Sequence, residues 1–407
     1  MILRGIKIKL HPNNKQNTRM FQYAGAARFA YNWALEQENQ AYETGNPFIN
    51  EQGLRRRFTK LKRLPEYTWL NKVSNDVMKQ AIKDAVNAYQ RFFKGLGKKP
   101  RFKSKWYSHP AFYQDTVKIK FTDTHVRIEK LMTPDSRGSN KANREKCNYV
   151  KLAEKGRIMP GQKVYNPRFT FDGNDWWVSV AVEIPDDNMH SNQPAQTIIH
   201  GVGIDLGIKD LAICSDGIVY PNISKYQTIK RRERRKRHLQ RTASRKMRMN
   251  NPDKSNQKGV RYRKSQNYKK SIKAFRKVSR KNTNVLQEYI RSCIREIIGK
   301  HPKFVVLEDL NVKGMLKNKR LARSIQAQRF GLFRRLMSQE CKKNGISIVI
   351  ADRWYPSSKT CHLCGYIKKD LTLKNRTYVC PVCGNTIDRD YQAALNLEDY
   401  GHKVLTA

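Results

Sequence analysis

Apolar residues change their spacing several times along this chain of 407 residues, and each change predicts a different kind of element. Residues 2–10 alternate loosely, with Ile2, Leu3, Ile6, Ile8 and Leu10 apolar, which predicts a strand ending at the turn signal His11-Pro12-Asn13. From about residue 15 to 96 the step lengthens to three and four: Phe21, Ala24, Gly25, Arg28, Phe29, Asn32 and Leu35 share a face, and Val77, Ile82, Ala85, Tyr89, Phe92 and Phe93 follow. That period predicts helices with core-facing stripes, closed by the Gly- and Pro-bearing stretch 95–100. Alternation returns between about 116 and 184, in 117–121, 125–128, 169–171 and 177–184. Short strands at this spacing predict a small β-barrel with a helical insertion after its first strand. Within it, 134–162 is rich in Gly, Asn and Lys and reads as a mobile or partner-ordered insertion, and 185–199 reads as an interdomain linker.

The second half carries a new pattern. Three short strands are predicted at Gly203-Ile-Asp-Leu, Asp210-Leu-Ala-Ile-Cys and Gly217-Ile-Val-Tyr, followed by a helix with Val285, Leu286, Tyr289, Ile290, Cys293, Ile294 and Ile297 on one face. A buried strand at 304–307, a helix through Phe330, Phe333, Leu336 and Met337, a buried strand at 346–351 and a last helix with Tyr391, Ala394 and Leu395 on its apolar face complete the order βββαβα with a final βα. Parallel strands need such crossovers. The order matches an RNase H-like α/β domain, in which the first and fourth strands are neighbours, so Asp205 and Glu308 are expected side by side with Asp390 converging from the last helix. The expected fold is therefore multidomain α+β.

Charge sharpens the picture. The chain has 82 Lys and Arg against 34 Asp and Glu, a formal net charge of +48 that implies a polyanionic partner. Nucleic acid is the default, since basic side chains release the counterions of its phosphates. No apolar run is long enough to span a bilayer and Met1-Ile-Leu-Arg-Gly lacks the core of a signal peptide, which predicts a cytoplasmic protein with no membrane partner. Residues 230–281 hold 23 Lys and Arg with only Glu233 and Asp253 opposing. Such a block is often a solvated arm, but its helix formers and interleaved Tyr262, Tyr268, Ile272 and Phe275 predict a basic helical hairpin laid on a nucleic-acid backbone.

Two constellations carry chemistry. Asp205, Glu308 and Asp390 each sit in a strong local pattern in an acid-poor chain. Any one of them alone is more simply a helix cap or surface charge. Together they resemble the carboxylates of a nuclease, because Mg2+ (or Mn2+) prefers hard oxygen ligands and keeps positions open for water and substrate. Cys361-His-Leu-Cys364-Gly and Cys380-Pro-Val-Cys383-Gly are separated by fifteen residues. This spacing closes a tetrahedron of four thiolates around one structural Zn2+. Cys147, Cys214, Cys293 and Cys341 are scattered and read as free thiols, so no disulfide framework is expected.

With these motifs in place, the chain resembles the TnpB (OrfB) family of transposon-encoded RNA-guided DNA nucleases, relatives of miniature type V CRISPR effectors. The likeness runs nearly end to end, through Gly25-Ala-Ala-Arg-Phe-Ala-Tyr-Asn-Trp-Ala-Leu35, Gly203-Ile-Asp-Leu-Gly-Ile-Lys209, Leu307-Glu-Asp-Leu-Asn311, Tyr355-Pro-Ser-Ser-Lys-Thr-Cys-His-Leu-Cys-Gly365, Cys380-Pro-Val-Cys-Gly384 and Asp388-Arg-Asp390. It implies RuvC-like catalytic acids at Asp205, Glu308 and Asp390 holding two magnesium ions, and zinc ligands at Cys361, Cys364, Cys380 and Cys383. The family commonly has Asn where this chain has Gln392. The implied partners are a guide RNA and target double-stranded DNA, with a monomer expected and a dimer on one guide as the alternative. The implied domains are a split wedge-like barrel (1–14 and 100–190), a helical recognition domain (15–99), a linker (191–200), a RuvC-like nuclease domain (201–354 and 386–407) bearing the basic segment 230–281, and a zinc finger (355–385). A nuclease-inactive RNA-guided repressor and a guide-independent structure-specific nuclease are the competing readings. Intact acids argue against the first, and the zinc, barrel and basic segments are surplus to the second.

Overall fold

The computed structural model describes residues 2–105, 107–131, 147–184, 201–252, 262–372 and 375–406, which fall into two units, Met1–Asp186 and Asp187–Ala407. The linker expected at 191–200 and the insertion residues 132–146 lie outside the described residues.

The first unit joins three helices to a curled seven-stranded sheet. Its strands are β1 (Ile2–His11), β2 (Ala111–Tyr113), β3 (Ile119–Phe121), β4 (His125–Ile128), β5 (Tyr149–Leu152), β6 (Val164–Phe171) and β7 (Trp176–Ile184), in the order β2-β6-β7-β1-β5-β4-β3. All the pairings are antiparallel. The N-terminal strand is thus an interior strand, running against β7 along most of its length and meeting β5 at Leu10 and His11. β5 lies inside the segment expected to be a loop. Its alternation is only four residues long, too short to stand out, yet Val150 and Leu152 are buried once β1 and β4 flank them.

The helical stretch is also less continuous than its period suggests. It divides into α1 (Asn14–Glu43), α2 (Glu51–Leu61), a 3-10 segment at Pro65–Lys72 and α3 (Asn75–Phe93). Gly45 with φ +68° ends the first and Pro65 opens the third. Asn13 caps α1 through a reciprocal pair with Gln16. Gln16 then donates to the carbonyls of Cys147 and Tyr149 at 3.0 and 2.9 Å, and Trp176 Nε1 donates to Asn17 at 2.9 Å, so the start of α1 is fastened to the sheet. Ala24, Ala27, Ala30 and Ala34 are among the buried residues of the core that α1 shares with α3. A bidentate ion pair from Arg168 to Asp84, 2.9 and 3.1 Å, ties α3 to β6.

In the second unit β8 (Val202–Asp205), β9 (Asp210–Cys214), β10 (Val219–Pro221), β11 (Phe304–Glu308) and β12 (Ser347–Ala351) form a sheet ordered β10-β9-β8-β11-β12. β8, β11 and β12 are parallel, whereas β9 and β10 run antiparallel. Helices follow in the order α4 (Gln227–Met249), α5 (Gln266–Gly299), α6 (Val312–Met315), α7 (Ala322–Gln328), α8 (Phe330–Lys343) and α9 (Arg389–Thr406). β11 is apolar on both faces because both are covered: Val305 and Leu307 join Ile290, Ile294, Phe333 and Met337 in one core, and Phe304 and Val306 join Val349, Ala351 and Leu397 in another.

The basic stretch is a helical hairpin rather than a solvated arm. α4 buries only Ile229 and Ala243, and α5 continues without a break into the apolar helix expected near 285–297. Polar contacts hold the two together, including Lys246 Nζ to Ser271 at 2.9 Å, Asn251 Nδ2 to the Arg263 carbonyl at 2.9 Å and Asn282 Nδ2 to Glu233 at 2.8 Å. Among the described residues no helix is long and apolar enough to cross a membrane.

Candidate active site and metal centre

Two strand ends and one helix start bring three carboxylates to one edge of the second unit's sheet. β11 pairs with β8 in a register that sets Val305 opposite Val202, Val306 opposite Gly203 and Leu307 opposite Ile204. Asp205 and Glu308 each lie one residue beyond that last pair, at the ends of neighbouring strands that run about 4.8 Å apart. Asp390 arrives from α9, and Gly203 explains how. A Cβ built there would stand 2.0 Å from the Ala394 carbonyl oxygen and 2.5 Å from the Glu398 nitrogen, so the helix backbone rests directly on the strand. Asp390 is one turn before Ala394, and Asp205 lies two residues beyond Gly203.

The electrostatics follow from this convergence. Burial pushes the Asp205 carboxyl well above the ordinary carboxylate range, and the charges of Glu308 and Asp390 push it further, with Arg389 opposing. Glu308 is raised by burial, against a hydrogen bond that its Oε1 accepts from Ser357 Oγ. Asp390 accepts from Arg389 Nη2 at 3.0 Å and Nε at 3.2 Å, and from Arg376 Nη1 at 3.4 Å. Next to Glu308, Asp309 behaves differently: Arg334, at 2.6 Å, and Arg353 engage it and hold its pKa low. Asp309 is therefore committed to ion pairs, which leaves Glu308 as the acid of this motif facing Asp205. Asp388 is a helix cap, its Oδ1 accepting from the backbone N–H groups of Asp390 and Tyr391 at 2.9 and 3.1 Å. Hard oxygen donors crowded until they repel one another suit a divalent cation, whose charge relieves that repulsion.

The four cysteines make a tighter centre. Cys361 and Cys383 Sγ are 3.6 Å apart, Cys364 and Cys380 Sγ 3.5 Å, and all four lie within 4.8 Å of one another. A tetrahedron with zinc–sulfur bonds of about 2.3 Å has edges of roughly 3.8 Å, so the set fits zinc with no open position. Among the described residues it is the only group of potential ligands gathered this closely. The two knuckles are built alike. Gly365 and Gly384, at φ +75° and +71°, let N–H groups return to the Cys361 and Cys380 carbonyls at 2.9 and 3.1 Å. Burial raises the Cys380 thiol, but N–H groups of Cys383 and Val382 outweigh it and bring the pKa down to about 6, suited to a thiolate ligand. The second knuckle is spanned by β13 (Thr377–Val379) and β14 (Thr386–Asp388), and β14 runs straight into α9. The cysteine centre and Asp390 thus share one short hairpin. The Arg389 N–H also bonds the Arg376 carbonyl at 2.8 Å. By contrast, Cys214, Cys293 and Cys341 are free and buried, and burial raises all three thiols.

Some of these residues carried no sequence signal of their own. Ser357 and Arg389 lie inside the motif strings and Arg376 lies between the two knuckles, but only the fold gives them partners. The buried face of α9 is Gln392, Ala393, Ala394, Asn396, Leu397 and Gly401; of the expected Tyr391, Ala394 and Leu395 only Ala394 is fully buried, the other two being half-buried. Close approach to β8 selects small residues over the larger apolar ones. Asn396 is buried and donates to the carbonyls of Ser357 and Thr360 at 2.6 and 2.7 Å, fastening the helix to the turn before Cys361. Gln392 is fully buried, with neither amide atom partnered. Trp354, 84% exposed, stands just beyond β12 at the edge of the same region.

Three family models match the chain: a "Helix-turn-helix domain" of OrfB over residues 1–47, a "Probable transposase" of the OrfB type over 179–319, and a "Cas12f1-like, TNB domain" over 330–397. Within that first span the structure has β1 and the single long α1. The chain is 25% identical over 418 residues to a protein of Escherichia coli K12 described as "Putative RNA-guided DNA endonuclease InsQ", covering 99% of this chain and 93% of that one. It is 28% identical over 400 residues to a "Putative RNA-guided DNA endonuclease" of Streptomyces pristinaespiralis, covering 97% and 89%. Among solved structures, that of "the mini-RNA-guided endonuclease CRISPR-Cas_phi3" superposes with a TM-score of 0.50 at 11% identity, over 98% of this chain and 92% of the other, a likeness of fold.

Proposed function

Because the chain belongs to the TnpB (OrfB) family, we propose that it is an RNA-guided, metal-dependent DNA endonuclease. The observation that carries this reading is the register of β8 and β11 under α9, which gathers Asp205, Glu308 and Asp390 at one sheet edge. In this reading the second unit is a RuvC-like nuclease domain, the curled sheet a wedge-like barrel, the helices of 15–99 a recognition domain and 355–385 a zinc-binding, target-binding module. Two divalent cations, when bound, supply activation of the attacking water and stabilisation of the leaving 3′ oxygen. Asp205, Glu308 and Asp390 would hold them. Ser357 orients Glu308, and Arg389 with Arg376 orient Asp390. The cationic α4–α5 hairpin tracks nucleic-acid backbone, while base pairing by the guide supplies most of the sequence choice.

The test is cleavage by protein stripped of copurified RNA. It should be inactive alone, regain specific cutting when that RNA is restored with magnesium or manganese, and lose it in EDTA. Asp205→Ala, Glu308→Ala and Asp390→Ala should each abolish cutting but retain target binding. Sequence-specific cutting by RNA-free protein would overturn the guided reading, and full cutting by the three variants would overturn the site.

A further inference from the structure

Between α4, α5 and α7 lies a cavity of about 580 Å³ whose charge is out of balance. Seven Lys and Arg line it against one carboxylate, Glu233. That carboxylate is already committed, accepting from Asn282 Nδ2 at 2.8 Å and pairing with Lys236 at 3.4 Å and Arg323 at 3.9 Å. Lys230, Arg234, Arg237 and Arg329 complete a cationic wall around it.

Arg329 is the informative member. It occupies the left-handed region, φ 57° and ψ 41°, as the joint between α7 and α8. An L-residue with a long side chain pays about 1 kcal/mol or more to sit there, where Gly or Asn would be at ease. The guanidinium is half-buried, its Nη2 reaches Thr283 Oγ1 at 3.2 Å, and its Nε is buried with no acceptor. Burial lowers its pKa with no carboxylate opposing the effect. A guanidinium stays protonated at any working pH, so this is a desolvated cation without a counter-charge. It also stands at the N-terminus of the 14-residue α8, which has no side-chain cap and where the helix dipole favours an anion over a cation. Asn282, 3% exposed, adds a second orphan: its Nδ2 is fixed on Glu233, so its Oδ1 is the atom left unpaired. A lone buried donor and a lone buried acceptor lining one cationic cavity describe the complement of a ligand that carries both an anion and a hydrogen-bond donor.

We propose that this cavity seats one phosphate-bearing unit of a nucleic-acid strand, with Arg329 as the anchoring cation. Phosphodiester oxygens accept from Arg329 and the rim cations, and a sugar hydroxyl or base N–H meets Asn282. The volume accommodates a nucleotide rather than a bare phosphate. That the strand is guide or target rests on the nuclease reading above; the anion seat does not.

The test uses full-length Asp205→Ala protein, freed of nucleic acid at high salt, so that binding is read without cleavage. Arg329→Gln is compared with Lys343→Gln, which removes an equal charge from an exposed lysine outside the hairpin, paired with Glu340. Without ligand at low ionic strength, Arg329→Gln should melt at or above the temperature of its parent, because an uncompensated cation is gone. A short single-stranded oligonucleotide should raise the melting temperature of the parent and of Lys343→Gln alike. It should bind Arg329→Gln about ten- to a hundredfold more weakly, with a slope of log affinity against log salt flatter by about 0.7. A parallel arm with inorganic phosphate at equal phosphate concentration separates the two sources: an Arg329-dependent effect confined to the oligonucleotide identifies a strand, and one shared by both identifies a seat that phosphate alone fills. Destabilisation of ligand-free Arg329→Gln with unchanged oligonucleotide affinity would make Arg329 structural and overturn the proposal. Equal Arg329-dependent stabilisation by polyglutamate would overturn the nucleic-acid assignment.

Discussion

Gly203→Ala is the substitution that most directly tests how the site is assembled. The added methyl carbon would stand 2.0 Å from the Ala394 carbonyl oxygen, 2.5 Å from the Glu398 nitrogen and 3.1 Å from the Leu397 carbonyl carbon. All three are backbone atoms of one helix, so no side chain can swing aside. Nonbonded heavy atoms settle near about 3.5 Å, so α9 must retreat by roughly 1.5 Å. Overpacking of this kind costs about 1–3 kcal/mol, and in a unit of this size each kcal/mol lowers the melting temperature by about 2–4 °C. The functional loss should be larger in proportion. Asp390 rides on the displaced helix one turn away, and a shift of about 1 Å in a catalytic group can cost about a hundredfold in rate. The assay pairs thermal melts with single-turnover cleavage at saturating guide and target. Gly331→Ala is the control, because its site is open, its φ is not positive and it lies in α8; it should be neutral or stabilise by about 0.5–1 kcal/mol. A Gly203→Ala protein with parental melting and parental cleavage would refute the placement of α9 on β8.

Asp388→Ala should lose about 0.5–2 kcal/mol as a helix cap and slow cleavage only in part, whereas Asp390→Ala should be inactive with near-normal melting; the reverse pattern in matched melts and cleavage assays would reassign the ligand. Cys361→Ser or Cys383→Ser should lose about one zinc per chain by elemental analysis, and in metal-replete parental protein the exposed Cys364 and Cys383 should resist thiol labelling until a chelator is added. Glu38 is 2% exposed and its burial raises its pKa to about 7. Its folded-state pKa lies above the unfolded value, so the stability it contributes is full below pH about 4.5 and is lost as pH rises through about 7. Urea melts at pH 5 and pH 8 should therefore show Glu38→Gln gaining on the parent at the higher pH, by up to roughly 3 kcal/mol; equal pH dependence in both would show that Glu38 does not titrate there.

The period of the apolar residues was enough to anticipate β8 to β12 and, among the helices, the later part of α5, α8 and α9, in their order; the short α6 and α7 and the strands β13 and β14 were not anticipated. Buried strands such as 304–308 and amphipathic helices such as α5 and α8 write their environment into every third, fourth or successive residue. The cysteine spacing was equally direct, because a metal knuckle is a local turn whose glycine and ligands are neighbours in the chain. Adjacency across the sheet is another matter. That Glu308 stands beside Asp205 depends on strand order, which was anticipated by analogy with a known topology and which only the paired register displays.

Tertiary structure alone decided the rest. β5 is a strand because β1 and β4 supply partners on both sides, and four residues of alternation carry too little signal to announce that. The buried face of α9 followed the need for small residues over Gly203 rather than the largest apolar side chains, since backbone contact rewards absence of bulk. Glu308 and Asp309 are chemically near-equivalent neighbours in sequence. They part company because Arg334 and Arg353 neutralise one, while the other is buried near Asp205 and accepts from Ser357. Which acid is available to a metal is thus set by side chains that only folding brings near. The pattern of residues determines which elements form; the charge and packing around each carboxylate are properties of the folded chain.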